Sequence, residues 1–308
     1  MTGLSNTGTV EFVAEGTYGT FPTNPAMKWI GLVQKATITA RNENEDYRSL
    51  RASGATNKLI PVGNIKTGAT LTIDLEYIPN TFKHATNPIF CKYATHATGG
   101  DTMQDILPTG LSFGFISADS TPKYAKISGG QIDEWTCEIP EDKLARITAK
   151  VPCADLYLNA NDPWTTDYVG SGSHASEVTT ALGYADITTL TLGGASFKAT
   201  NIKFGVRNSA IRVKDAASTK FSKVESIVPQ KREFFFSAKV RRDAINDFSV
   251  KTFGYGANNL VIAFGTAGAS GTLTFANAKV PEEVYNFAVE GLSEMEINFT
   301  GITGLTYS

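Results

Sequence analysis

The chain has 308 residues, a formal net charge of -2 and a pI near 6.0, a balance that excludes a strongly basic nucleic-acid binder. Three cysteines (Cys91, Cys137, Cys153) cannot all pair and include no Cys-x-x-Cys spacing, which suits assembly in a reducing compartment. No stretch of about 18 apolar residues exists to cross a bilayer as a helix, and the opening MTGLSNTGTVEF lacks the basic and apolar regions of a signal peptide, so a soluble protein not exported by the ordinary secretory route is expected.

The first segment of interest is EFVAEGTYGTFPTNP (11–25). It has no lysine for a phosphate loop, and Pro22 and Pro25 forbid the helix that a dinucleotide fingerprint must open. Gly16 and Gly19 are expected to supply positive φ in turns, and Pro22 and Pro25 to stiffen the chain beyond them. The segment reads as a turn-rich N-terminal arm able to lie across a neighbouring subunit, with Tyr18 as its candidate contact.

Residues 40–68 form a long polar stretch, expected to be an inter-strand loop with an acidic run (Glu43, Glu45, Asp46) followed by Arg48 and Arg51. The next segment, ATLTIDLEYI (69–78), alternates Leu71, Ile73, Leu75 and Tyr77 against Thr70, Thr72, Asp74 and Glu76, the period of a half-buried strand. Ile89, Phe90 and Tyr93 then fall at helical spacing in 87–97. His84, Cys91 and His96 lie close together, but their spacing matches no zinc signature and a fourth ligand is missing. No metal, cofactor or catalytic constellation is expected: paired carboxylates lie on polar faces, and the GSGSH at 170–174 sits in a Gly/Ser/Thr-rich linker rather than at a strand-to-helix elbow.

The second half repeats this order. Residues 205–232 form another long polar stretch, basic this time through Arg207, Arg212, Lys214, Lys220 and Lys223. EFFFSAKVR (233–241) alternates Phe234, Phe236, Ala238 and Val240 inward, a short helix is expected within 242–254, and EMEINFT alternates Met295, Ile297 and Phe299. Residues 130–151 fall on 278–299 without a gap, an offset of 148 that puts Ile132 on Val280, Ile139 on Phe287 and Val151 on Phe299. Both copies change the parity of their apolar positions within the first strand of this block, as a β-bulge there requires. Leu71 meets Phe234 at an offset of 163, at which KAT (35–37) also meets KAT (198–200). Two blocks in the same order at offsets near half the chain indicate internal duplication: a first domain at 1–158, a linker at 159–183 and a second domain at 184–308.

With those segments in place, EGTYGTFPTNP followed by WIGLVQKATITA resembles the opening of tail tube (major tail) proteins of tailed bacteriophages and related archaeal tailed viruses. ATLTIDLEYIPNTF resembles that family's strand leading into its helix, and LTFANAKVPEEVYNFAVEGLSEMEINFTGI its C-terminal hairpin; the similarity spans 11–152 and 190–302. The resemblance implies a mainly β chain: two tandem tail-tube-type β-sandwich or barrel domains, each with one short helix and one long inter-strand loop. It further implies rings stacked into a hollow tube in the virion tail, assembled in the host cytoplasm, through which double-stranded DNA passes without sequence-specific binding. Three duplicated chains would close a pseudo-sixfold ring. The implied partners are further copies of the chain, the tape measure protein, the tail terminator and baseplate or tip proteins, with no membrane.

On that reading the polar strand faces are the candidate lumen: Asp74 and Glu76 with Arg146 and Lys150, and Lys239 and Arg241 with Glu294 and Glu296. These charges cancel, Glu134, Glu138 and Glu282 tip the face acidic, and opposite charges are expected to pair across strands. The two polar stretches are the candidate inter-ring loops, the acidic one facing the basic one. The rival readings are the inner tube of a phage-derived contractile injection system and a virion or cell-surface β-sandwich binding module. An enzyme stands behind both for want of convergent polar groups.

Overall fold

The alternation read from the sequence becomes burial: Leu71, Ile73, Leu75 and Tyr77 are at most 3% exposed, whereas Asp74 between them is exposed. The computed structural model describes residues 9–23, 25–53, 56–82, 110–116, 124–159, 180–215, 218–219, 221–222, 224–241, 258–265, 271–280 and 294–307. Both expected helices (87–97 and 242–254) lie outside these residues, as do His84, Cys91, His96 and most of the linker.

The first half supplies β1 (Thr9–Ala14), β2 (Lys28–Trp29), β3 (Leu32–Ser53), β4 (Thr56–Ile78), β5 (Leu111–Ile116), β6 (Tyr124–Gly130), β7 (Glu134–Pro140), β8 (Arg146–Cys153) and β9 (Asp155–Asn159). The second, after a 3-10 turn at Tyr184–Asp186, supplies β10 (Ile187–Leu192), β11 (Ala195–Ser196), β12 (Ala199–Arg207), β13 (Ala210–Lys214), β14 (Val224–Pro229), β15 (Glu233–Arg241), β16 (Asn258–Phe264), β17 (Gly271–Ala278), β18 (Glu294–Phe299) and β19 (Gly304–Tyr307). The chain is therefore mainly β, and every strand pair among the described residues is antiparallel.

Each half builds its own five-stranded sheet, in matching order: β2-β1-β5-β6-β9 and β11-β10-β16-β17-β19. The third sheet belongs to both. Its order is β18-β15-β12-β7-β8-β4-β3, so β12 of the second half pairs directly with β7 of the first. The halves share one sheet instead of standing apart as beads on a linker.

Backbone pairing repeats residue for residue. Ile73 opposite Val151 becomes Phe236 opposite Phe299, and Leu75 opposite Ala149 becomes Ala238 opposite Ile297, at the offsets of 163 and 148 read from the sequence. The β3–β4 register break between Val33 and Lys35 recurs between Ala199 and Asn201 in β12–β15. Since Lys35 and Asn201 face Glu76 and Lys239 respectively, the offset of β12 from β3 is 166 (35 to 201). The KAT match at 163 is thus three residues out of register; its three letters carry less information than the hydrogen-bond ladder.

The buried face of the shared sheet meets both smaller sheets in one continuous core. Phe204 of β12 marks its centre, with ring centroids 5.9 Å from Trp135, 5.9 Å from Phe236 and 5.5 Å from Phe275. Burial of such aromatics against both halves couples them energetically. Trp135 keeps its indole N–H satisfied by donating to the Tyr77 hydroxyl at 3.1 Å.

Three expectations change. The polar stretches at 40–68 and 205–232 are paired strands, not loops: β3 and β4 run together out to Ser53 opposite Thr56, and β13 pairs β14. Neither carries the one-sided apolar alternation that flags a half-buried strand. The parity change near residue 132 falls in the bend at Gln131–Asp133, whose amides still donate to Pro152 and Lys150, while β7 itself pairs without a break. Leu182, at the end of the expected linker, is fully buried and belongs to the core.

Candidate functional site

The solvent face of the shared sheet is a lattice of alternating charge. One rung runs across five strands as Asp74, Lys150, Glu134, Arg207, Glu233, each directly opposite the next. A second places Arg146, Glu138 and Lys203 side by side, and a third sets Lys239 against Glu296 and Arg241 against Glu294. All eight residues expected on a common polar face thus lie on one sheet, each opposite or diagonal to a charge of the other sign.

Two of the ion pairs close the seam between the halves: Arg207 Nε donates to Glu134 at 3.1 Å and Lys203 Nζ to Glu138 at 2.5 Å. Within the first half Arg146 Nε lies 3.2 Å from Glu76. Lys203 and Arg207 offset the Glu138 and Glu134 charges expected to tip the face acidic; Glu282 lies outside the described residues. A shallow depression on this face is lined by Lys35, Asp74, Glu76, Glu134 and Lys150. Exposed pairs of this kind contribute about 0–1 kcal/mol each, so they set register and surface charge more than stability.

Both outer strands of this sheet, β3 and β18, have no further strand beside them among the described residues. Six antiparallel steps separate them, so the two edges run in the same direction. An open edge is a template for pairing with another chain.

The basic residues expected in the second inter-ring loop divide three ways. Arg207 lies on β12, paired with Glu134 and stacked 5.1 Å from the Phe235 ring. Arg212 turns inward and donates to the Leu71 carbonyl (3.2 Å) and the Thr72 hydroxyl (3.1 Å). Lys214 is exposed, whereas Lys220 and Lys223 lie outside the described residues. Outward on the same hairpin stand Ile211, Val213 and Val228, all at least 40% exposed, an apolar face that the charge-based reading missed. Glu43, Glu45, Asp46, Arg48 and Arg51 occupy β3 opposite Gly68, Ile65, Asn64, Pro61 and Lys58.

The EGTYG turn is organised by a residue that sequence reasoning passed over. Glu15, 5% exposed, accepts from Ser112 Oγ (2.6 Å) and the Gly129 amide (2.7 Å) through Oε1, and from the Gly19 amide (2.6 Å) through Oε2. Three donors around one carboxylate satisfy its buried charge and pin the turn to β5 and β6. Gly19 has the expected positive φ (69°), but Gly16 does not; Gly110 does (151°), where a Cβ would lie 2.3 Å from Glu15 Oε2.

Tyr18 is engaged within its own chain. Its hydroxyl donates to the Gly129 carbonyl at 2.9 Å, and its ring packs against the cluster of Ala154, Val224 and Ile227. Burial, with Cys153 and Glu15 nearby, holds this hydroxyl far above its usual range, and burial likewise pushes the Cys153 thiol up. No protein-family model matches the chain, and no curated protein matches it.

Proposed function

We propose that this chain is a structural subunit that polymerises into stacked rings, forming the hollow tail tube of a tailed virus through which DNA is delivered. The observation that carries the reading is the shared seven-stranded sheet, four strands from the first half and three from the second in the same order, with both edge strands open among the described residues. A further copy can add its own strands to an open edge of such a sheet, and a rotation repeated at each step closes a ring. Each chain then supplies two tail-tube-type domains, and three chains make a pseudo-sixfold ring.

The charge lattice supports the same reading. A channel for DNA must not hold phosphates, and a wall whose cations each stand beside a carboxylate offers no basic stripe to do so. The exposed Ile211, Val213 and Val228 supply an apolar patch for stacking ring on ring, with Lys214 adding salt-sensitive steering. Tape measure, terminator and baseplate proteins would cap or fill the tube, and its place is the virion, after assembly in the host cytoplasm.

Negative-stain microscopy of the purified chain tests the reading directly. Stacked rings with an open centre are the expected outcome; monomers dispersed at all concentrations and salt conditions would sink it.

A further inference from the structure

The β13–β14 hairpin is the counterpart of the outer half of β3–β4, and the two differ in what lies beneath them. Ala210 opposite Pro229, Ile211 opposite Val228 and Arg212 opposite Ile227 repeat Asn44 opposite Lys66, Glu45 opposite Ile65 and Asp46 opposite Asn64. The register break between Val213 and Lys214 repeats the one between Tyr47 and Arg48. In the second half, however, the ladder is interrupted at Asn208–Ser209, where Ser209 has φ 48°. The hairpin docks there on the first half of the same chain.

That docking is extensive. Asn208, fully buried, donates through Nδ2 to the Ile132 carbonyl at 2.7 Å, and its amide donates to Asp133 at 2.7 Å. Farther out, Phe221 N–H reaches Asp155 (3.0 Å), and Ser222 donates to the Ala154 carbonyl from both its amide (3.1 Å) and its hydroxyl (2.6 Å). Val224 and Ile227 cover Ala154, leaving it no exposed surface.

The second half repeats the backbone of this receiving surface, and Asn277, Lys279 and Thr303 on it are exposed among the described residues. The Ala154 amide donates to Ser128 at 3.0 Å, and the Thr303 amide donates to Ala276 at 3.1 Å. Gly129 (φ 67°) is matched by Asn277 (φ 62°), and Ile132 by Val280. Yet Thr303 is exposed where Ala154 is buried. In the first half's hairpin the position of Asn208 is again an asparagine, Asn42.

We propose that the outer β3–β4 hairpin of one copy docks on the Val280 and Ile302–Gly304 surface of the next copy, as β13–β14 docks on the first half of its own chain. The inference rests on the self-assembly part of the proposed function and names its junction. Asn42 takes the place of Asn208 over Val280, and Leu59 that of Ser222 over Thr303. The occupant is a second copy because, among the described residues, the other hairpin with the register and asparagine of β13–β14 is the chain's own first hairpin. Its acidic residues Glu43, Glu45 and Asp46 suit Lys279, exposed beside Gly301. The docking is repeated, not every seam contact: Thr39 stands where Gly205 lets β12 approach the Trp135 carbonyl.

Cysteine cross-linking tests it. With Cys91→Ser as background, the pair Leu59→Cys and Thr303→Cys should give covalent multimers under mild oxidation, seen on non-reducing denaturing gels, and neither single variant should. Adding Asn42→Ala should lower the cross-linked yield by about tenfold, the effect of losing one buried hydrogen bond of roughly 1.4 kcal/mol, while leaving the melting temperature of the isolated chain unchanged. Asn208→Ala should lower that melting temperature. Stacked rings without the cross-link, or a yield indifferent to Asn42→Ala, would overturn the junction and leave the tube standing. Cross-linked rings that never stack would keep the junction and remove the tube; dispersed chains without cross-links would remove both.

Discussion

The two halves agree most closely where they face the shared core and diverge at their hairpins. In β4–β8 and β15–β18 even the register is common, while one hairpin breaks from its parent strands and folds down onto its neighbour and the other continues the β3–β4 ladder out to Ser53 opposite Thr56. One contact surface can therefore serve two ends. Inside the chain the seam forms at an effective concentration set by the covalent link and belongs to folding; a seam between chains, if the proposed junction forms, would depend on protein concentration and belong to assembly.

The comparison breaks most decisively at Phe204, where both halves meet. Phe204→Ala should cost about 3–5 kcal/mol, and calorimetry should show a single transition displaced as a whole. Two transitions, with one unmoved, would mean that the halves fold independently and that the shared sheet is not a cooperative unit.

The next effect probes what only the first half possesses. Just two glycines, Gly193 and Gly194, join β10 to β11, so the Glu15–Tyr18 turn has no counterpart there. Tyr18 and Cys153 both have proton affinities raised in the folded chain, above ordinary values of 10.0 and 9.0. Below those values both states hold the protons and stability is unaffected. As pH rises through them, only the unfolded chain releases its protons freely, so stability falls. Melting temperature should decline above pH 9, and Tyr18→Phe should flatten that decline while losing about 0.5–1.5 kcal/mol at neutral pH. An unchanged alkaline slope would detach Tyr18 from the docked hairpin.

The smallest effect concerns the charged face. A double-mutant cycle on Arg146 and Glu76, truncating each to Ala, should return a coupling of about 0.2–1 kcal/mol that fades in high salt. A coupling several times larger would show that this face is less exposed than its counterpart across the seam, where Arg207 meets Glu134.

Much of this is legible in the sequence, for identifiable reasons. Leu71 to Tyr77 and Phe234 to Val240 bury one face each, so their period of two is written in hydrophobicity, and the offset of 148 carries the β8–β18 equivalence intact. Residues 42–68 lack that one-sided pattern, and their polarity reads as a loop. Leu182 is hidden among glycines and serines, although its carbonyl accepts from Ala145 and its amide donates to Pro79. The seam is unreadable because backbone pairing of β12 with β7 leaves no mark on either strand's composition. Glu15 is invisible for a different cause: an acidic residue beside a glycine turn announces the turn, not the three donors that converge on it.

The halves repeat in the same sense along the shared sheet, not back to back. Copies added by such a step inherit a direction, as links do when each hook meets the next eye. A closed ring of them would have two unlike faces, and a column of rings two unlike ends. Growth would then distinguish one end from the other without any added factor, and a protein that recognises one face could mark where the column starts or stops.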